Sequence, residues 1–371
     1  MTARSGSGAG SPGRGSPAES GQILITGGAG FIGCNLADAL LSAGRRVIVL
    51  DNLSRPGVTA NADWLRERHG DLVTIRVADI RNTSAVAEAV DAASAVVHLA
   101  AQVAVTESLE SPVEDFTINA AGTLHLLEAL RRQRRRMPLV FASTNKVYGT
   151  LEGLQLEALA EAHAPADRAI RLRGIGEDRP LQFSTPYGCS KGAADQYVLD
   201  YAKCYGLPAV VLRMSCIYGP RQFGTEEQGW VAHFLFRALD GEEITLFGDG
   251  RQVRDVLHVA DAVRAYLAVL ADADDLAGTA FNLGGGVENA VSLIAMLREI
   301  EQQTGRPVRR RHEPPRPADQ LYFVADTKRL RDATGWAPLI GWREGVADLM
   351  GWAAAHRAAA PPPPAERSFS A

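Results

Sequence analysis

Short apolar runs closed by turn-forming residues alternate, over most of this chain, with longer stretches whose apolar positions recur at helical spacing. Ile23-Leu24-Ile25-Thr26, Val47-Ile48-Val49-Leu50, Ala95-Val96-Val97-His98-Leu99 and Leu139-Val140-Phe141-Ala142 read as buried strands, as does the run over 72–77. Helices are predicted behind the first strand as far as Ala43, over 84–92, over 113–132, and from Tyr187 to Gly206. Strands that alternate with helices are joined by crossovers and pair in parallel. The expected fold is therefore α/β, a doubly wound parallel sheet of Rossmann type whose ligands lie beyond the carboxyl ends of the strands. From about Gly219 the alternation loosens, and the runs 229–239, 244–247, 259–270, 281–282 and 291–304 are expected to form a smaller lobe.

Residues 1–20 are mostly Gly, Ser, Pro and Arg with little to bury and read as a disordered leader, and 358–371, rich in Pro and Ala, as a disordered tail. That leaves 21–218 as mainly a dinucleotide-binding domain and 219–357 as mainly a substrate lobe. With 371 residues and 46 % hydrophobic content the chain can bury a large core, as one big α/β domain or two intimately joined ones. No apolar run approaches the ~20 residues that cross a bilayer, and the N-terminus lacks the apolar segment of a secretion signal, so no membrane partner is expected. Cys34, Cys189, Cys204 and Cys216 show no CxxC spacing and no cluster with histidine; neither disulfides nor a metal site is expected, and a reduced cytoplasm fits. A net charge of -4 argues against nucleic acid. Arg131, Arg132, Arg134, Arg135 and Arg136 lack interleaved aromatics and read as a solvated helix terminus where cations offset the dipole.

The first strand runs straight into Gly27-Gly28-Ala29-Gly30-Phe31-Ile32-Gly33. Glycines there let the backbone turn tightly and approach a pyrophosphate resting on the helix N-terminus. The spacing fits GxGxxG through Gly28, Gly30 and Gly33 and equally GxxGxxG through Gly27, Gly30 and Gly33. Asp51 ends the second strand, 18 residues after Gly33. A carboxylate there accepts both ribose hydroxyls of NAD and repels a 2′-phosphate, so NAD is expected over NADP; Arg55 is the one feature pointing the other way. His98 closes its strand with no Asp or Ser in its segment to orient it, and is expected to pack beneath the cofactor. Ser143 and Thr144 place hydroxyls at the end of a central strand. Tyr187 and Lys191, four apart on one predicted helix, set a phenol and an ammonium about one turn apart on one face. A fixed cation favours the phenolate of a group whose ordinary pKa is near ~10 and makes it a usable base.

Taken in order with Asp79-Ile80-Arg81, His98-Leu99-Ala100-Ala101, Asn119-Ala120-Ala121-Gly122-Thr123, Leu212-Arg213, Tyr218-Gly219-Pro220-Arg221-Gln222 and Arg254-Asp255-Val256-Leu257-His258-Val259, these motifs carry a family likeness. Over 22–355 the chain resembles an extended short-chain dehydrogenase/reductase of the nucleotide-sugar epimerase and dehydratase group. Ser143-Thr144-Asn145-Lys146-Val147-Tyr148-Gly149, the run 186–197, Gln228-Gly229-Trp230-Val231 and the insert between Tyr148 and Pro186 are most similar to the CDP-paratose 2-epimerases, also called CDP-tyvelose 2-epimerases.

The resemblance implies the GxxGxxG register, with NAD held by Gly27, Gly30, Phe31, Ile32, Gly33, Asp51, Asn52, Asp79, Ile80, Leu99, Ala100, Ala101, Asn119, Tyr187 and Lys191. It implies that Thr144 is the substrate-side hydroxyl, Tyr187 the base and acid, and Lys191 both electrostatic partner and ribose ligand. For the substrate it implies Gln102, Thr144, Asn145, Ser215, Gln228, Trp230, Arg254 and Arg316, the two arginines holding the diphosphate through paired hydrogen bonds. Dehydratases of the group carry an Asp-Glu pair after the Thr. Asn145-Lys146 lacks the acid and base needed to expel water, so dehydration is not expected. Cys216 stands where many relatives place an Asn on the substrate phosphate, so a backbone amide or Ser215 is expected to serve instead.

The implied activity is that of an NAD-dependent isomerase, inverting C2 of a nucleotide-linked hexose through a transient keto sugar. The implied partners are a nucleotide sugar and further copies of the chain, as a dimer or tetramer. A UDP-sugar 4-epimerase would use the same Tyr, Lys and Thr with the pyranose rotated, and spacing does not decide which carbon is oxidised. A non-catalytic NAD-binding sensor has no use for Thr144, Tyr187 and Lys191 together.

Overall fold

The structure, a computed structural model, describes residues 21–359. The expected leader lies outside the described residues, as does the expected tail from 360 on; 358 and 359 still belong to the last helix. Along the chain come β1 (Gln22–Thr26), α1 (Phe31–Ser42), β2 (Val47–Asp51), α2 (Val58–His69) and β3 (Val73–Val77). Then follow α3 (Thr83–Asp91), β4 (Ala93–His98), α4 (Val105–Glu110), α5 (Pro112–Phe116), α6 (Gly122–Arg131) and β5 (Leu139–Thr144). The insert folds as a hairpin, β6 (Leu156–Ala158) and β7 (His163–Pro165), and the short α7 (Arg168–Arg173), ahead of the long α8 (Thr185–Tyr205). After it come β8 (Ala209–Met214), β9 (Cys216–Tyr218), α9 (Trp230–Asp240), β10 (Ile244–Phe247), β11 (Val253–His258) and α10 (Val259–Ala271). The last elements are β12 (Ala280–Leu283), β13 (Ala290–Ser292), α11 (Leu293–Thr304), β14 (Arg310–Glu313), β15 (Tyr322–Phe323), α12 (Lys328–Thr334) and α13 (Trp342–Ala359).

Seven parallel strands in the order β12-β8-β5-β4-β1-β2-β3 form the main sheet. Side chains alternate across a strand, and here both faces are apolar because both are covered. Ile23, Ile25, Val47 and Val49 pack under α1, α2 and α10, while Leu24, Ile48, Leu50 and Val96 pack under α3, α6 and α8. The expected α/β fold is the observed one. A second core, over β10, β11 and β13, is closed by α9, α11 and α13. No helix among the described residues is long and apolar enough to cross a membrane.

Two elements sit elsewhere than the sequence pattern assigns them. The helix over 259–270 and the strand at 281–282 read as parts of the smaller lobe. Instead α10 buries Ala262, Ala265, Tyr266 and Val269 against the main sheet's helical layer, and β12 is that sheet's seventh strand, parallel to β8. An apolar strand carries no mark of which sheet will accept its hydrogen bonds. The predicted helix over 113–132 is also interrupted: between α5 and α6 the turn Thr117–Ala121 widens to π geometry, which centres the irregularity on Asn119.

Candidate active site

At the carboxyl end of β1 the glycine turn is demanded by contact. Gly27 has φ +68°, and a Cβ there would lie 2.6 Å from the Ala100 nitrogen; a Cβ on Gly33 would lie 2.4 Å from the Gly27 carbonyl. The left-handed first glycine is thus Gly27, the one that only the GxxGxxG register counts. The first turn of α1 has neither a side-chain cap nor an acidic residue, so its amides and dipole face outward for an anion. Asp51 accepts the amides of Ala29 (3.1 Å) and Leu53 (2.9 Å), tying the end of β2 to the glycine turn. Burial raises its pKa and those amides oppose the rise. Beyond it, the Asn52 amide donates to Asp79 at 3.1 Å, and hydrogen bonds from Arg81 hold Asp79 well below the usual carboxylate range. Leu99 and Ala100 back the turn. An uncapped helix start for a pyrophosphate and a carboxylate at the end of the second strand fit NAD.

Thr144 and Tyr187 meet at the end of β5. Tyr187, 8 % exposed, is pushed up to about 12 by burial, and a hydrogen bond with the Thr144 hydroxyl works against that rise. Lys191 shares the α8 face with Tyr187, yet its amine donates to the Ala142 carbonyl of β5 at 2.6 Å and lies 4.2 Å from the Phe141 ring centroid. A lysine buried away from solvent turns to the nearest strong acceptor. Burial lowers Lys191 to about 7, with Asp195 and Asp115 opposing. The expected pairing of phenol and ammonium is therefore not a direct contact in this structure. His98 is buried between hydroxyls, with Thr26 Oγ1 2.6 Å from Nδ1 and Thr123 Oγ1 3.0 Å from Nε2. Since Thr123 donates its only proton to the Asn119 carbonyl, Nε2 carries the proton and Nδ1 accepts from Thr26. Burial, then Lys191, depresses His98 to about 3, so it is a neutral packing group.

On the substrate side, Arg254 is buried against Asp319 at 2.7 Å, while Arg316 lies over the Phe247 ring and bonds Glu226 and Glu227. The turn from Arg316 to Asp319 links the two. Asn145 donates to Gln320 at 3.4 Å. Gln102 is buried with its Oε1 unpartnered among the described residues, while its amide donates to the Ala104 carbonyl. Gln228 closes a backbone turn with Thr225. The Ser215 hydroxyl, expected on the substrate phosphate, donates to Asp255 in this structure. The Trp230 indole N–H points at the Cys216 sulfur, 3.4 Å away, and burial raises that thiol.

Residues that spacing alone does not reveal complete the site. Asp115 and Ser190, both buried, hydrogen bond to each other, and Asn119 donates to both at 3.1 Å, so the π turn is pinned to α8. Asn61 donates to the Ala29 carbonyl at 3.1 Å, and Asn35 to the Pro220 carbonyl, also at 3.1 Å. Lys146, on the turn after Thr144, faces Gln320 and Asp319. A polar residue of ordinary composition in a loop gives no sequence signal until its partner, far along the chain, is known.

Residues 23–284 match the model of the NAD dependent epimerase/dehydratase family. A CDP-paratose 2-epimerase of Salmonella typhi is 42 % identical over 338 residues, covering 89 % of this chain and 98 % of that protein. A UDP-glucose 4-epimerase of Mycolicibacterium smegmatis is 33 % identical over 333 residues, covering 89 % and 97 %. The solved structure of the Thermus thermophilus UDP-glucose 4-epimerase in complex with NAD superimposes with a TM-score of 0.74 at 33 % identity, over 91 % of this chain and 100 % of that one.

Proposed function

The chain belongs to the NAD dependent epimerase/dehydratase family, and from that premise we propose that it inverts C2 of a nucleotide-activated hexose of the CDP-paratose and CDP-tyvelose kind. The observation that carries the reading is the meeting of Thr144 and Tyr187 at the carboxyl end of β5, with Lys191 one turn along α8. As phenolate, the Tyr187 oxygen takes the proton of the substrate hydroxyl and returns it once the flat keto sugar has turned over; the positive nicotinamide ring of bound NAD would favour that phenolate against the burial that raises Tyr187 to about 12. Thr144 holds the same oxygen in place, and the buried Lys191 amine, lowered to about 7, is held on the Ala142 carbonyl of β5. NAD, when bound, supplies the acceptor and then the donor of hydride, so no net redox occurs. Asn145 and Lys146 offer no carboxyl pair for expelling water.

The second reading is a UDP-sugar 4-epimerase, favoured by the likeness to the 4-epimerases and relying on the same three residues. Incubation with CDP-, GDP-, UDP- and dTDP-hexoses, followed by NMR, separates the two. The expected result is inversion at C2 of a CDP-hexose without solvent deuterium on carbon. Inversion at C4 of a UDP-hexose gives the second reading, and deuterium on carbon rejects a closed hydride relay. We place the enzyme in the cytoplasm, which its four free thiols support, and read it as a dimer or tetramer. Val113, 76 % exposed, and Phe116, 56 % exposed, on α5 are apolar surface that a second copy would cover.

A further inference from the structure

Lys146 and Lys191 approach Thr144 from different sides. Lys191 reaches β5 from α8, whereas Lys146, two residues beyond Thr144, turns toward the smaller lobe: its amine is 3.5 Å from Gln320 Oε1 and 3.8 Å from Asp319 Oδ1. The same Asp319 oxygen is 2.7 Å from Arg254, so one carboxylate serves two cations and the cluster keeps a surplus positive charge. Among the described residues Lys146 has no other carboxylate within ion-pair distance. A half-buried cation left partly uncompensated is costly unless an anion joins it. The strain shows: burial, then the like charge of Arg254, lowers Lys146 to about 8.

The chemistry of the sugar says where such an anion belongs. The diphosphate hangs from the anomeric carbon, and C2 is bonded to that carbon while C4 lies across the ring. A sugar that presents C2 to Tyr187 and Thr144 must bring its sugar-linked phosphate up beside the catalytic hydroxyls. Presenting C4 leaves the phosphate at the far side of the pyranose. Lys146 is the cation beside Thr144 on the face toward Arg254. We propose that Lys146, with Arg254, grips the sugar-linked phosphate and so holds the hexose in the register that offers C2 for oxidation. This rests on the reading of the enzyme as a 2-epimerase.

The test uses NAD-loaded protein and calorimetric titration with CDP and with CMP, which lacks the sugar-linked phosphate. Lys146→Met should weaken CDP roughly 10- to 100-fold, the worth of a charge-assisted hydrogen bond, and leave CMP unchanged; Lys146→Arg should restore most of the CDP affinity. If Lys146→Met does not fold, the unmodified protein answers through pH. As the amine loses its proton above about 8, CDP binding should fall and CMP binding should not, since a guanidinium such as Arg254 keeps its charge, Asp319 stays ionised and burial raises the nearby Cys216 thiol so that it stays protonated. Equal losses for CDP and CMP, or none, overturn the phosphate grip. Turnover keeps the two claims apart. Wild-type enzyme that inverts C4 defeats the 2-epimerase reading, whereas an enzyme that inverts C2 with unaltered CDP affinity in Lys146→Met defeats this inference alone.

Discussion

At the scale of single residues the site is a set of buried groups held away from their ordinary protonation. Burial penalises the charged form of each, raising Tyr187 to about 12 and lowering Lys191 to about 7. On the proposed mechanism, Tyr187→Phe removes only the oxygen that would exchange the substrate proton. Turnover should fall roughly 10³-fold, in the range general acid–base catalysis contributes, with NAD affinity unchanged by titration; retained turnover removes Tyr187 as the proton carrier. The positions of Tyr187, Lys191, Thr144 and Asp51, though not their roles, were legible because each rests on a spacing that a helix or a strand end converts directly into position. The glycine register was not legible from spacing, since two spacings fit; the family resemblance chose GxxGxxG, and the left-handed φ at Gly27 agrees with it. At Ser215 the sequence shows a hydroxyl beside the site but not where its one proton goes, and here it goes to Asp255.

At the scale of elements, α8 carries Tyr187 and Lys191 and is fastened by a buried ion pair. Arg213 of β8 meets Asp195 of α8 in a bidentate pair, at 3.0 and 2.9 Å, with both side chains almost fully buried. Ser143 of β5 donates to the same carboxylate at 2.7 Å, and Arg213 also donates to Tyr148, whose hydroxyl donates to Asn282 of β12. One helix is thus tied to three neighbouring strands. Asp195→Ala leaves Arg213 buried without its partner, and should cost about 3–5 kcal/mol in urea unfolding, the range for breaking a buried pair from one side. A loss near ~1 kcal/mol would mean that water replaces the carboxylate and that the pair does not fasten α8. Strands β1 to β5 were legible from their apolar runs. Which sheet β12 enters was not, because Asn282 and Phe281 acquire their meaning only from β8, Tyr148 and the insert around them.

At the scale of the molecule, the chain's path makes the two cores interdependent. It leaves the main sheet at Met214, and a single residue later enters β9 beside β11; it returns in α10 and β12, goes back to β13, and crosses twice more through α12 and α13. The Ser215 amide donates to the Leu283 carbonyl, fastening the first crossing to the third. Neither core is a contiguous piece of chain, so neither can unfold without pulling strands or helices out of the other. Three of the five tryptophans, Trp230, Trp342 and Trp352, lie in or against the smaller core, whereas the glycine turn belongs to the main sheet. Tryptophan fluorescence and far-UV circular dichroism should therefore report a single urea midpoint. NAD at about 100 times its dissociation constant should move both signals together by about 2.7 kcal/mol, although the tryptophans of the smaller core stand apart from the glycine turn. A fluorescence midpoint that stays put while the dichroism midpoint rises would mean that the crossings do not couple the cores, and that a nucleotide on the main sheet has no purchase on the smaller core.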